Sequence, residues 1–267
     1  MKKTLYAIFT VLVCTSCASS YNIQGSSSIS NLDGEKLYLK VIKDEAVKNI
    51  DSCDVVHGQF SFTGTIDTVR IASLFMNDIQ MRPIVLEQGD ITMHIDYTSY
   101  DVKGTQLNDR MTSFLNESNK IQGQLRELGQ EEYEGYATNK DMDEVYASIN
   151  KKMSALDAQY EKLLTKFVED NFDNVLGPWA FCLYALKYQY PMLDDWIEFI
   201  MSKATEKFKN DPAVREYYEA ALKNQNIMNG TETPASAAAV APAPGTTSDA
   251  AEAPKTPAEL AGDTTKK

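Results

Sequence analysis

Two periodicities divide the chain. Up to about residue 104, apolar and polar residues alternate in short runs, and beyond it apolar residues recur every three or four positions. In the first part Phe60 and Phe62 fall on one face and Ser61 and Thr63 on the other, as in a half-buried strand. Runs at 21–25, 36–42, 47–56, 59–64, 70–76, 83–86 and 91–97 predict seven or eight short strands. Asp33-Gly34 and His57-Gly58 read as turns, and Gln88-Gly89-Asp90 as a hairpin loop. Short strands at this spacing predict an antiparallel β-sandwich or barrel-like sheet.

The joint between the two patterns lies at residues 102–108. After it, Leu107, Met111, Phe114, Leu115, Ile121, Leu125 and Leu128 form an apolar stripe with Thr105 as its expected N-cap. A polar stretch at 131–141 contains Gly135 and allows a reversal. Met142, Val145, Ile149, Met153, Leu156, Tyr160, Leu163 and Phe167 then form a second stripe. No Gly or Pro interrupts residues 139–171, which predicts a helix on the order of 45 Å long. The two helices are expected to pack as an αα-hairpin, with an intermolecular coiled coil as the alternative for the second stripe. Asn174-Val-Leu-Gly-Pro breaks the second helix, another runs from Trp179 towards Pro191, and amphipathic segments follow at 194–207 and 212–223. The predicted fold class is therefore α+β: a β domain over 18–104, then a helical domain over 105–228. From 229 to 267 the chain is mostly Ala, Pro, Thr and Ser with scattered charges, too poor in large apolar residues to offset ordering entropy, and it reads as a disordered tail.

Composition narrows the partners. The 267 residues carry 26 Lys and Arg against 38 Asp and Glu, a net charge of -12 that opposes binding to a phosphate backbone. Residues 1–17 read as a leader: Lys2 and Lys3, a short apolar core over 5–13, then Thr15 and Ser16 before Cys17. That core is shorter than the ~20 apolar residues a membrane span needs. The arrangement resembles a bacterial lipobox, with Cys14 where Leu is usual, and implies Cys17 as the lipidated residue; a plain secretory cleavage site is the alternative. Cys14-Thr-Ser-Cys17 also has redox spacing, but it ends a leader and not a strand. No Asp directly follows Cys17, and no acidic run follows it. By resemblance to sorted lipoproteins, that implies an outer membrane address facing the periplasm.

Asp51-Ser-Cys, Gly58-Gln-Phe-Ser-Phe-Thr-Gly, Val85-Leu-Glu-Gln-Gly-Asp-Ile and Gly104-Thr-Gln-Leu-Asn occur in this order. Together they resemble the uncharacterised N-terminal β domain of lipid-anchored thioredoxin-like proteins of the AhpC/TSA type. The resemblance covers residues 21 to 115 and extends more loosely to 225. It implies a thioredoxin domain after the helices. The tail stands in that place, so the expectation is a chain without the chemistry that domain supplies.

Candidate chemistry is sparse. His57 and His94 are the two histidines, and no spacing suits a metal site, so neither metal nor other cofactor is expected. A Ser-His-Asp triad has no Gly-x-Ser-x-Gly elbow behind it, and Walker-type and Gly-x-Gly-x-x-Gly loops are lacking. Cys53 and Cys182 are candidates for a disulfide or redox role, against a reading as small buried apolar residues. The acidic pairs Glu131–Glu132 and Asp194–Asp195 suit solvated helix ends better than paired-carboxylate chemistry. Among the aromatics Trp179, Phe181, Tyr184, Tyr188 and Tyr190, core packing competes with a partner surface, for which Trp179, Tyr188 and Tyr190 are the candidates. The expected function is a lipid-anchored periplasmic binding or scaffolding protein with no catalysis of its own. The alternative is an accessory or client-binding subunit of a separate thioredoxin-like oxidoreductase in the envelope, and a ligand carrier is a third reading.

Overall fold

The structure, a computed structural model, describes residues 19–43, 46–77, 79–96 and 100–231. The expected leader, the lipidation site Cys17 and the tail after residue 231 lie outside these residues. The first half forms eight strands: β1 (Ser19–Ser27), β2 (Lys36–Lys43), β3 (Ala46–Asp54), β4 (Gln59–Ile66), β5 (Arg70–Met76), β6 (Ile79–Leu86), β7 (Gly89–Ile95) and β8 (Tyr100–Lys103). They make two four-stranded sheets, ordered β4-β1-β7-β8 and β3-β2-β5-β6. The α+β class and the β-then-helix order follow the sequence reading.

Alternation determines which side chains fill the space between the sheets. Tyr21 and Ile23 of β1, Phe60 and Phe62 of β4 and Ile91 and Met93 of β7 point inward from the first sheet. Leu37 and Leu39 of β2, Leu74 of β5 and Ile84 and Leu86 of β6 meet them from the second. Each such side chain contributes about 1.5–3 kcal/mol by leaving water. The outer face of the first sheet is correspondingly polar. Asn22 Nδ2 donates to Asp90 Oδ1 at 2.9 Å, and Ser26 Oγ lies 2.9 Å from His94 Nδ1.

Two details differ from the sequence expectation. β1 pairs β7 in parallel, with Ile23 opposite Ile91, so the first sheet is mixed. Residues 88–90 make no hairpin: β6 pairs β5 in one sheet while β7 pairs β1 and β8 in the other. A stretch of Gly and polar residues marks a reversal without stating which sheet receives the next strand. The turn at His57-Gly58 is as expected, both residues having positive φ, 52° and 70°.

The helical half comprises α1 (Gln106–Ala137), α2 (Met142–Glu169), α3 (Leu176–Ala185), α4 (Asp195–Lys203), α5 (Glu206–Lys209) and α6 (Pro212–Met228). α1 and α2 pack as the expected antiparallel hairpin, and their 32 and 28 residues make them about 48 and 42 Å long. α3 starts earlier than predicted, with Gly177 and Pro178 inside its first turn, where a missing N–H costs nothing. It also ends at Ala185, before Pro191. The segment read as one helix over 194–207 is divided at Ala204, whose backbone is extended. Asp194 caps α4 through Ile197 N–H at 2.9 Å and Thr205 caps α5. The described residues up to Gln225 form one compact unit.

Candidate functional site

Buried and half-buried polar groups tie α1 to the sheets. Gly104 precedes the helix at φ 107°, and a Cβ there would lie 2.4 Å from the Asp90 carbonyl oxygen, so only glycine fits. Thr105 occupies the N-cap position, but its side chain makes no capping bond. Glu87 does that work instead: its Oε1 accepts from Leu107 N–H at 2.8 Å and Asn108 N–H at 3.1 Å. The buried Asn108 amide donates to Val85 O at 2.8 Å and accepts from Val85 N–H at 2.9 Å, completing the edge of β6. Its Nδ2 also reaches Thr105 Oγ1 at 2.8 Å. These bonds aim α1 and with it the whole hairpin.

Near this joint the hairpin is part of a large apolar core. Met111, Phe114, Leu164, Phe167 and Val168 pack with Ala180, Phe181, Ile197, Ile200, Phe208 and Val214 from the shorter helices. Phe114 stacks on Phe167 at 4.2 Å, and Trp179 meets both rings edge-on at 6.1 and 6.4 Å. Farther out, Ile121 and Ile149 are the buried apolar residues of the seam. Tyr133, Tyr136 and Met153 are exposed there, and Lys152 Nζ reaches Glu131 at 2.7 Å.

One side of the hairpin carries two open hollows in line, which together make a groove. Its inner section, about 520 Å³, is lined by Arg110, Phe114 and Glu117 of α1 and by Leu163, Lys166 and Phe167 of α2, with Asp170 at its end. The outer section, about 360 Å³, is lined by Gln124, Leu128 and Glu131 against Lys152, Ala155 and Leu156. Successive lining positions on each helix recur at three- and four-residue spacing, so both sections lie along a single face. From Arg110 to Glu131 that face extends about 32 Å at ~1.5 Å per residue. Its floor is apolar and its rims are charged, the form that accepts an amphipathic helix.

The candidate residues from the sequence are dispersed. Cys53 packs against the sheet core and Cys182 against the helical core, and both are free thiols. Burial pushes Cys53 up to about 11, against the Ser61 backbone hydrogen bond, with lesser contributions from Asp51 and Asp54 that raise it and from Lys36 that lowers it. Burial and then Asp211 raise Cys182 to about 11 as well. Thiols held this high stay protonated near neutral pH and are poor nucleophiles. Trp179 is part of the ring cluster beneath the groove, while Tyr190 is exposed. Tyr188 donates to Asp194 Oδ2, as does Tyr184, and Lys187 Nζ lies 3.1 Å from the same oxygen. Lys187 also sits 3.5 Å above the Tyr184 ring, which stacks on Trp196 at 3.8 Å. Burial would raise the Asp194 carboxyl, but the two phenols, Ile197 N–H and Lys187 outweigh it and hold it below the ordinary carboxylate value. This cluster is satisfied internally and clamps the start of α4.

Both acidic pairs have structural partners. Asp194 caps α4, Glu131 bridges Lys152, and Glu132 accepts from Tyr146. His94 lies on the exposed sheet beside Ser26, with Asp101 in register on β8, but Asp101 binds Lys103 Nζ at 2.8 Å. Sequence reasoning missed the groove and Asn108. Both rim charges and groove floor are visible as letters, but their alignment across two helices depends on the register of the hairpin.

Fold and groove together define a class: an α+β chain in which a two-sheet β domain carries a grooved helical hairpin. Residues 21–111, covering the sheets, the joint and the first turn of α1, match the family described as Domain of unknown function (DUF4369). No curated protein and no solved structure matches the chain.

Proposed function

We propose that this is a lipid-anchored envelope protein, facing the periplasm from the outer membrane, that binds or scaffolds other proteins and performs no catalysis. The observation that carries the binding reading is the groove along α1 and α2, with an apolar floor between charged rims about 32 Å long. The resemblance of residues 1–17 to a lipoprotein leader supports the anchor at Cys17. The family match over 21–111 covers the β domain on which the sequence resemblance rests.

Intact mass of the chain isolated from cells is the direct test of the anchor. It is expected to show an acylated N-terminal Cys17, and Cys17→Ala is expected to release the chain from the membrane fraction. An unacylated chain would contradict the anchor. Insulin reduction should stay at background with the purified protein. Turnover that disappears in Cys53→Ser or Cys182→Ser would contradict the non-catalytic reading and favour a thiol-exchange role.

A further inference from the structure

The rims of the groove carry opposite charges at matching levels. Three contacts across the hairpin establish those levels: Arg110 Nη1 to Asn171 Oδ1 at 3.4 Å, the Phe114–Phe167 stack, and the Lys152–Glu131 bridge at 2.7 Å. At the inner end Arg110 on α1 stands across from Asp170, the residue that closes α2. Glu117 then stands across from Lys166, and Glu131 at the outer end across from Lys152. Of the charged lining residues, Glu127 alone has a neutral neighbour opposite, Ala155.

We propose that the occupant of this groove is the same face of a second copy of the chain, so that two hairpins close into a four-helix bundle. Place a twofold axis parallel to the groove and α1 of one copy lies over α2 of the other at the same level. Every charge on one rim then meets the residue that stands across from it in its own chain. The sequence of signs is therefore self-complementary: Arg110 faces Asp170, Glu117 faces Lys166 and Glu131 faces Lys152 of the second copy. A twofold interface requires this kind of matching, since residue i meets residue j while j meets i.

Area and geometry agree with such a pairing. A face about 32 Å long and two helices, about 20 Å, wide covers on the order of 600 Å² on each copy. The total of about 1,200 Å² is at the lower end of stable protein interfaces. Leu128 and Leu156, half-buried in the single chain, become core positions of the bundle. The rim charges select the register more than they add affinity, because Lys152 already bridges Glu131 and Lys166 already bridges Asp170 within one chain.

The pairing rests on the reading of the groove as a binding surface, and charge reversal separates the two. Protein isolated from the envelope is studied by sedimentation in a density-matched detergent. Wild type is expected at twice the chain mass. One variant, Lys152→Glu with Lys166→Glu, makes the two Glu–Lys levels of the groove acidic on both rims; another, Glu117→Lys with Glu131→Lys, makes them basic on both, with Arg110 and Asp170 unchanged in each. Each alone is expected at the mass of a single chain, and a one-to-one mixture is expected to return to twice that mass. Circular dichroism checks that both stay folded; if either does not, single reversals at Lys166 and Glu117 replace them. A monomeric wild type, or a dimer indifferent to either reversal, overturns the proposal. So does a mixture that stays monomeric. A monomer whose groove still crosslinks another envelope protein in cells removes the second copy and keeps the groove as a binding surface. Acylation of Cys17 is read from intact mass and stands or falls separately.

Discussion

The two ends of the α1–α2 hairpin are built from the same kind of helix yet held in different ways. Near the body, Met111, Leu164 and Val168 are 1%, 0% and 0% exposed, and Asn108 binds both polar groups of Val85. At the far end Tyr133 is 74% and Met153 40% exposed. Three glycines, Gly123, Gly129 and Gly135, sit inside the outer part of α1, each weakening a helix interior by about 0.5–1 kcal/mol relative to Ala. The lesson is that helix length and stability come from different sources here. The inner end is stabilised by tertiary burial, while the outer end has only its seam and whatever occupies its groove.

Truncations should expose that contrast most strongly. Phe181→Ala removes a fully buried ring and is expected to cost about 3–5 kcal/mol in chemical denaturation. Leu156→Ala in the outer groove should cost below about 1.5 kcal/mol in the single chain, since its side chain is only half-buried. Equal losses at the two sites would remove the distinction. Next in size is Asn108→Leu, which leaves the Val85 N–H and carbonyl without partners in a buried edge. About 2–3 kcal/mol is expected.

Asp194 offers a pH signature of the inner end. Its folded carboxyl is held below the ordinary value, so the stability it contributes is present above ~3.9 and is lost as pH falls through the depressed folded value. Asp194→Ala should cost about 1 kcal/mol at pH 7, mostly as a lost N-cap, and should flatten the acid limb of a stability–pH curve. An unchanged acid limb would show that the Tyr184–Tyr188–Lys187 cluster does not act on it. The smallest expected effect is a gain. A Cβ at Gly129 meets nothing within 4 Å, so Gly129→Ala should stabilise the outer helix by about 0.5–1 kcal/mol, visible as slower local amide exchange.

Much of the architecture was legible in the letters, because it depends on local periodicity. Phe60 and Phe62 placed β4, and the two stripes placed α1 and α2, since burial on one face leaves a period of two or of about 3.6. The parallel pairing of β1 with β7 was not legible, because Ile23 and Ile91 are inward-facing in either strand direction. Thr105 looked like the cap by position, but Glu87, folded in from the connection between β6 and β7, reaches the free N–H groups. The groove was hidden for the same reason. Glu131 and Lys152 are 21 residues apart, and only the hairpin register puts them at one level.

The claim that joins these observations is that the outer hairpin is an arm whose groove is completed by another chain. Amide hydrogen exchange followed at low and high protein concentration tests it most directly. Residues 120–156 are expected to exchange much faster than 107–115 and 160–168 when dilute, and to gain more protection than those inner segments as concentration rises. Outer amides protected as strongly as the inner ones in dilute solution, with no dependence on concentration, would contradict it.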